Sequence, residues 1–419
     1  MAELGHEVVG IDVDEEKIAA LSAGRTPFFE PGLPEVLTSA LATGRLRFST
    51  DIACAEGAEV HFIAVGTPQK KGSHAADLRY VDAAVAALLP HLNPGDLVVG
   101  KSTVPVGTAA RLAALIEASA TGGSLAWNPE FLREGFAVQD TIAPDRLVYG
   151  VSSGEAGERA VAQLNEVYAS AIATQTPLVV TDYATAELVK VAANAFLATK
   201  ISFINAMAEI AEVSGADVTQ LADAIGHDTR IGRRFLNAGV GFGGGCLPKD
   251  IRAFTARAEE LGRGESVAFL KEVDAINLRR RQRVVDLTVS ALDRPVYNAK
   301  VAVLGLSFKP HSDDVRDSPA LDVAVQLRGL GADVVATDPQ AIENSRFRHP
   351  QITYSTDIEA TLRDADAVVL VTEWPEFKSI DPEWAAGLVK SRTIIDGRNT
   401  LDAAAWREAG WTYYGLGRP

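Results

Sequence analysis

Cys246 stands at the end of Gly243-Gly244-Gly245 and is followed by Leu247-Pro248-Lys249-Asp250. Three glycines leave the cysteine no side-chain packing partner on one side, and their bare backbone lets a ligand approach closely. Lys249 nearby favours the thiolate, which is the nucleophilic form. The pattern predicts covalent catalysis at Cys246. The other cysteine, Cys54, reads as a small buried hydrophobe. Lys190 and Asn194 lie four residues apart in a helical stretch and so share one face. Their neighbours Val189, Val191, Ala192, Ala193, Phe196 and Leu197 are apolar. An ammonium and an amide in such surroundings must serve something polar, such as a developing oxyanion.

Other chemistry-bearing residues follow apolar runs. Asn128-Pro129-Glu130-Phe131-Leu132-Arg133-Glu134-Gly135 carries two carboxylates four apart, with Phe131 and Leu132 suggesting a cleft. Thr103 follows a strand end, where open α/β sheets bind their ligands. Farther on come Phe308-Lys309, Asp313-Asp314-Val315-Arg316 and Asp396-Gly397-Arg398. Strand-end lysines and arginines can grip phosphates even in an acidic protein. The seven histidines are scattered without metal-ligand spacing, so no metal site is expected.

The elements that must hold these residues can be read from periodicity. Val8-Val9-Gly10-Ile11-Asp12 is a short apolar run ending in an acid, ahead of a helical stretch from Glu15 to Leu21. Strand, acid, helix is the second half of a dinucleotide-binding βαβ unit, where the acid bonds the adenosine ribose. Strand-like runs at 60–65 and 96–100 alternate with helical stretches at 81–89 and 109–118. Such alternation predicts a mostly parallel, doubly wound sheet. A second copy lies near the other end: Gly331–Asp338 aligns without gaps on Gly5–Asp12, and Ala365–Pro375 on Ala58–Pro68. There a strand (300–306) and a helix (319–330) precede the matched segment. In the first copy nothing precedes it. The difference amounts to a strand, a Gly-rich turn and most of a helix, about 20–25 residues by ordinary element lengths. We expect a start assigned too far downstream, at a Met inside the first helix. A truly short chain would lack the turn that cradles a dinucleotide's pyrophosphate. Between the copies, 184–213 reads as one long helix of about 45 Å, long enough to join two domains or pair with a second subunit. A helical stretch at 268–292 then leads to a linker at Asp293-Arg294-Pro295.

Composition narrows the function classes. With 419 residues, two or three domains are expected. An excess of 55 acidic over 40 basic side chains argues against a duplex nucleic-acid binder. Two cysteines cannot build a disulfide scaffold, which points to a reducing compartment. No run of about 18 uncharged apolar residues is present to span a membrane, and the first residues do not read as a signal peptide. The expectation is a cytoplasmic protein with no nucleic-acid or membrane partner.

The motifs together resemble the UDP-glucose/GDP-mannose 6-dehydrogenase family. The matching blocks are Val-Gly-Thr-Pro at 65–68, Ser-Thr-Val-Pro-Val-Gly-Thr at 102–108, Asn-Pro-Glu-Phe-Leu-Arg-Glu-Gly at 128–135 and Leu-Val-Lys-Val-Ala-Ala-Asn-Ala-Phe at 188–196. They continue with Gly-Phe-Gly-Gly-Gly-Cys-Leu-Pro-Lys-Asp at 241–250, Gly-Leu-Ser-Phe-Lys-Pro at 305–310, Asp-Asp-Val-Arg-Asp-Ser-Pro at 313–319 and Asp-Gly-Arg at 396–398. In this order and spacing the set is highly specific. It implies an α/β protein with two Rossmann-like doubly wound parallel sheets, joined by a long central helix and a small all-α domain. The implied domains are 1–183 for NAD, 184–293 for dimerisation and the cysteine loop, and 294–419 for the UDP-sugar.

The resemblance implies a four-electron, NAD-dependent oxidation of UDP-glucose at C6 to UDP-glucuronate. Cys246, Lys190, Asn194, Asp250, Glu130 and Thr103 would carry the chemistry. Asp12, Lys17, Thr67, Thr103, Glu134, Lys249 and Arg316 would bind NAD. Glu130, Phe131, Leu132, Lys190, Asn194, Arg230, Phe235, Gly243, Phe308, Lys309 and Arg398 would line the sugar-nucleotide site. Arg230 matches the arginine that the family supplies from a neighbouring subunit, which implies a homodimer or higher homo-oligomer. The alternatives are GDP-mannose or UDP-N-acetylmannosamine as substrate, a two-electron β-hydroxyacid dehydrogenase, and an inactive nucleotide-sugar-binding form lacking the glycine turn.

Overall fold

The short apolar runs form strands, and each of their two faces feeds a different core. In the computed structural model, which describes residues 1–419, the chain gathers into two compact units. One comprises Met1–Ala193 with Arg252–Gly264, the other Asn194–Ile251 with Glu265–Pro419.

In the first unit β1 (Val8–Ile11) pairs in parallel with β2 (Leu46–Ser49) as a two-stranded sheet. A separate five-stranded sheet runs β3 (Val60–Ile63), β4 (Leu97–Gly100), β5 (Ser124–Trp127), β6 (Leu147–Val151), β7 (Leu178–Thr181) in spatial order. Its pairs are parallel except β5 with β6. Every residue of β4 is buried: Val98 joins Val81, Val85, Leu112 and Ile116, while Leu97 and Val99 join Tyr149 and Leu164 on the opposite face. Alternation of period two inside an apolar run is what a strand covered on both faces requires.

In the second unit six parallel strands form one continuous sheet: β8 (Lys300–Leu304), β9 (Asp333–Thr337), β10 (Thr353–Tyr354), β11 (Ala367–Leu370), β12 (Thr393–Asp396) and β13 (Thr412–Gly415). Their spatial order is β10-β9-β8-β11-β12-β13. Val301 and Val303 face one core, Ala302 and Leu304 the other. The helix Phe269–Ala291 contributes Val284 and Val285 to the first of these. The internal repeat is real in three dimensions: β9 holds the segment aligned with β1, and β11 coincides with the segment aligned with β3. β8 lies between β9 and β11, whereas β1 and β3 are unpaired with each other and each keeps an open edge.

The long helix spans Tyr183–Ser214, one residue beyond the expected range at either end. By length and composition it could cross a bilayer. Its Glu187, Lys190 and Asn194 are nevertheless buried against protein partners, as in the core helix of a globular domain. Residues 239–246 are irregular, and the helix Leu247–Glu260 begins directly after Cys246.

Candidate active site

Three neighbouring parallel strands of the first unit deliver their C-terminal ends side by side, and each is followed by one of the sequence blocks. The blocks are knitted together. Ser102 donates its hydroxyl to the Val65 carbonyl at 2.6 Å, Thr67 donates to the Thr103 carbonyl at 2.8 Å, and the Asn128 amide donates to Gly100 at 2.8 Å. The Thr67 hydroxyl, expected at the cofactor, is thus engaged in holding the Thr103 turn. After β5 the segment 128–134 is irregular, so Glu130 and Glu134 do not form a helical stripe. The Glu130 carboxylate meets the Lys190 ammonium at 3.2 Å and accepts from the Leu132 amide at 2.6 Å. Phe131 is sandwiched electrostatically, with the Arg146 guanidinium 3.8 Å and the Lys190 ammonium 5.5 Å from its ring centre. Leu132 is exposed and Glu134 half-buried.

Asp12 ends β1 with its carboxylate partly open to solvent, held by Lys17 at 2.6 Å and by the Asp14 amide at 3.1 Å. The Lys17 hydrogen bond keeps the Asp12 carboxyl below the ordinary aspartate range. An exposed, ionised acid at a strand end fits the paired hydroxyls of a ribose and would repel a 2′-phosphate. The donor set therefore fits the adenosine end of NAD.

In the second unit three of the expected catalytic residues, Cys246, Asp250 and Asn194, lie around the start of the helix Leu247–Glu260, while Thr103, Glu130 and Lys190 belong to the first unit. The Cys246 carbonyl accepts from the Asp250 amide at 2.9 Å, which makes Cys246 the residue that caps this helix, and its side chain is exposed. A helix N-terminus favours an anion, here the thiolate. Asp250 is buried, accepting from the Asn194 side-chain amide at 2.7 Å and facing the Lys249 ammonium at 3.2 Å. Lys190 and Asn194 occupy successive turns of the one long helix and are both buried.

The glycines before Cys246 correct the sequence expectation. A side chain on Gly243 would strike the Asp317 carbonyl at 2.3 Å, one on Gly244 (φ +84°) the Phe308 ring at 2.8 Å, and one on Gly245 the Arg316 guanidinium at 2.5 Å. The bare backbone is filled by protein from 308–317, so the glycines serve close packing of the loop rather than ligand access. Cys54 is half-buried, with its thiol 3.3 Å from the Ser49 hydroxyl, and is not core filler.

The remaining expected residues divide by how their polar groups are engaged. Arg398 donates to the carbonyls of Val371, Gly241 and Phe308 at 2.8, 2.9 and 3.0 Å and meets Glu373 at 3.1 Å. It clasps three loops together. Arg316 lies against Asp314 at 2.7 Å, and Lys309 stands 5.3 Å from the Phe308 ring centre. Arg230 is 87% exposed at the side chain and pairs with Asp228 at 2.6 Å. Phe235 is exposed, on backbone at φ +65°.

Sequence reasoning missed several residues that hold these turns. Lys101, directly after β4, donates to Asn128 at 3.1 Å and to the Tyr168 hydroxyl at 3.3 Å. Burial presses its ammonium down to about 8, although the Glu130 carboxylate opposes the change. Buried Glu30 accepts from the Gly135 and Ala137 amides, both at 2.7 Å. The local signal for Lys101 was its place at a strand end beside Ser102 and Thr103. Glu30 offered none, because its partners are more than a hundred residues away.

Three successive segments match the UDP-glucose/GDP-mannose dehydrogenase family: its NAD binding domain over residues 1–172, its central domain over 184–279 and its UDP binding domain over 302–403. A UDP-glucose 6-dehydrogenase of Rhizobium meliloti is 41% identical, the match covering 100% of this chain and 95% of the relative. The solved structure of a UDP-glucose dehydrogenase from Pyrobaculum islandicum superposes with a TM-score of 0.89 at 40% identity, covering 100% of this chain and 94% of the other. That of a UDP-D-ManNAc dehydrogenase from Pyrococcus horikoshii reaches a TM-score of 0.85 at 27% identity, covering 100% and 95%. With the strand-end blocks, the capping cysteine and these matches in agreement, the chain belongs to the UDP-glucose/GDP-mannose dehydrogenase family.

Proposed function

We propose that the protein is an NAD-dependent UDP-glucose 6-dehydrogenase that converts the C6 alcohol to a carboxylate in two oxidations. The observation that carries this reading is the exposed Cys246 capping a helix whose first turn holds buried Asp250 against Asn194. UDP-glucose is favoured over UDP-N-acetylmannosamine because relatives named for UDP-glucose stand at 40–42% identity and the UDP-D-ManNAc enzyme at 27%. Three segments divide the work: 1–183 holds NAD, 184–293 carries the cysteine loop and the subunit contact, and 294–419 holds the uridine diphosphate.

NAD, when bound, is the hydride acceptor for both oxidations; Asp12, Lys17, Thr67, Thr103, Glu134, Lys249 and Arg316 are the residues assigned to it. In the first oxidation C6 loses a hydride and the hydroxyl loses its proton to a water held by Asp250, while Lys190 and Asn194 stabilise charge on the C6 oxygen. The Cys246 thiolate adds to the aldehyde, giving a thiohemiacetal. Loss of a second hydride from C6 leaves a thioester on Cys246. Water positioned by Glu130 and Thr103 attacks it, the C–S bond breaks, and the acid and the thiolate are released. Phe131, Leu132, Phe235, Phe308, Lys309 and Arg398 are the further residues assigned to the nucleotide sugar.

Support for a homodimer comes from Phe196, Phe203 and Ile210, exposed at seven-residue spacing along the long helix, with Val213 three residues on. Such a stripe on one helix face is covered by a partner helix in stable assemblies. Exposed Arg230 then reaches the neighbouring subunit's substrate. A thiol that must stay reduced between turnovers suits a reducing compartment such as the cytoplasm.

The test is product stoichiometry with purified protein, UDP-glucose and NAD. We expect two NADH per UDP-glucuronate formed and no acid from Cys246→Ala. One NADH per sugar, or undiminished acid from the variant, would remove the thioester route. Faster turnover of GDP-mannose or UDP-N-acetylmannosamine would reassign the substrate.

A further inference from the structure

Glu187 lies one turn before Lys190 on the long helix and is buried to 2% exposure. Its carboxylate leaves its own helix to accept from the Gly107 amide at 2.8 Å and the Ala109 amide at 2.7 Å. These amides open the helix Thr108–Ala118, whose own capping position is Gly107, a glycine at φ +99° with no side chain to offer. The cap is therefore brought in from 80 residues away. From the other side the Arg257 guanidinium grips the Val106 carbonyl through two donors, at 3.1 and 2.9 Å.

The loop so clamped is the one that presents Thr103, and the helix turn that clamps it is the one that presents Lys190. Lys190 in turn meets Glu130 at 3.2 Å. Residues three apart on a helix project from adjacent positions on its surface, about 4.5 Å apart along the axis. A shift of Glu187 against Gly107 is thus passed to Lys190 relative to both Thr103 and Glu130.

We propose that Glu187 is a positioning residue for the oxidation, fixing the setting of the Lys190 turn against the Thr103 loop. The proposal rests on the dehydrogenase reading above and on the roles given there to Lys190 and Thr103. Neither Glu187 nor Arg257 is assigned to touch substrate or cofactor. A glutamine at position 187 keeps the shape but offers one acceptor oxygen and sets an NH2 group against a peptide N–H, so one of the two bonds is lost.

The experiment compares wild type and Glu187→Gln in steady-state NADH release from UDP-glucose, with turnover corrected for the folded fraction by circular dichroism. We expect kcat to fall by about tenfold or more while the KM for UDP-glucose moves less than about threefold, the split produced by misplaced catalytic groups. A kcat within about twofold of wild type, even with a lowered Tm, would overturn the proposal and leave Glu187 a helix cap only. Should Glu187→Gln not fold, Arg257→Lys loosens the same loop from its other side, and the same kcat and KM criteria decide. Wild type that releases no NADH from UDP-glucose would overturn the dehydrogenase reading and this proposal together. An active wild type with an unimpaired variant overturns this proposal alone.

Discussion

The two α/β halves end equivalent strands on the same residue and use it in opposite ways. Asp12 closes β1 and Asp338 closes β9, in segments that align without a gap. Asp338 is buried and accepts from the amides of Leu306, Ser307, Gln340 and Ala341, the Ser307 hydroxyl and the Trp374 indole, at 2.8–3.1 Å. Asp12 is held locally, by Lys17 and by the amides of Val13 and Asp14. β8 runs beside β9 and its following turn presents donors to Asp338, whereas the groups that hold Asp12 come from the turn and helix directly after it. An acid whose lone pairs are filled by its own fold is structural; one left open at a strand end is available to a ligand.

Three substitutions would break or sharpen this contrast. The largest effect belongs to Asp338→Asn, which sets an amide NH2 among peptide and indole donors. We expect a loss of about 3 kcal/mol in urea unfolding, and a loss under about 1 kcal/mol would mean that the buried acid is not structural. The second concerns β4 and β12, the strands that follow the aligned β3 and β11, where burial acts on opposite charges. It holds Lys101 down to about 8 after β4 and pushes the Asp396 carboxyl up at the end of β12. For Lys101 the folded form is the weaker base, so its contribution to stability is present above the unfolded value of 10.5 and is lost as pH falls through about 8. Lys101→Met removes that dependence. Its stability relative to wild type should therefore decline by about 2 kcal/mol as pH rises from 8 to 10.5, and a pH-independent difference would contradict the burial argument. The smallest effect is Asp12→Asn. We expect unfolding to change by less than about 0.5 kcal/mol, while NAD affinity by calorimetric titration drops about tenfold. Equal NAD affinity in the variant would deny Asp12 the ribose, and a stability loss matching that of Asp338→Asn would erase the distinction between the copies.

Much of this architecture was legible in the residue order. The long helix was readable to within a residue at each end, because some thirty residues without Gly or Pro leave few alternatives. β3, β9 and β11 were readable from short apolar runs bounded by turn residues. The place of Thr103 at a strand end followed from the rule that doubly wound sheets bind ligands at strand C-termini. Less could be read where a residue's partner is remote. Glu187 has nothing near it in sequence to mark its role, yet it caps a helix 80 residues earlier. Gly243–Gly245 looked like room for a ligand, yet the space is taken by Phe308, Arg316 and Asp317, 64–74 residues later in the chain.

The sequence by itself determined the doubly wound halves, the internal repeat and the long helix. Those features depend on local periodicity, turn chemistry and short-range spacing. Only the tertiary structure decided that Asp12 is open while Asp338 is closed, that Arg398 clasps three carbonyls, and that Glu187 and Arg257 hold the Thr103 loop. Each of these turns on which donors surround a charged group, and those donors come from strands and turns distant along the chain.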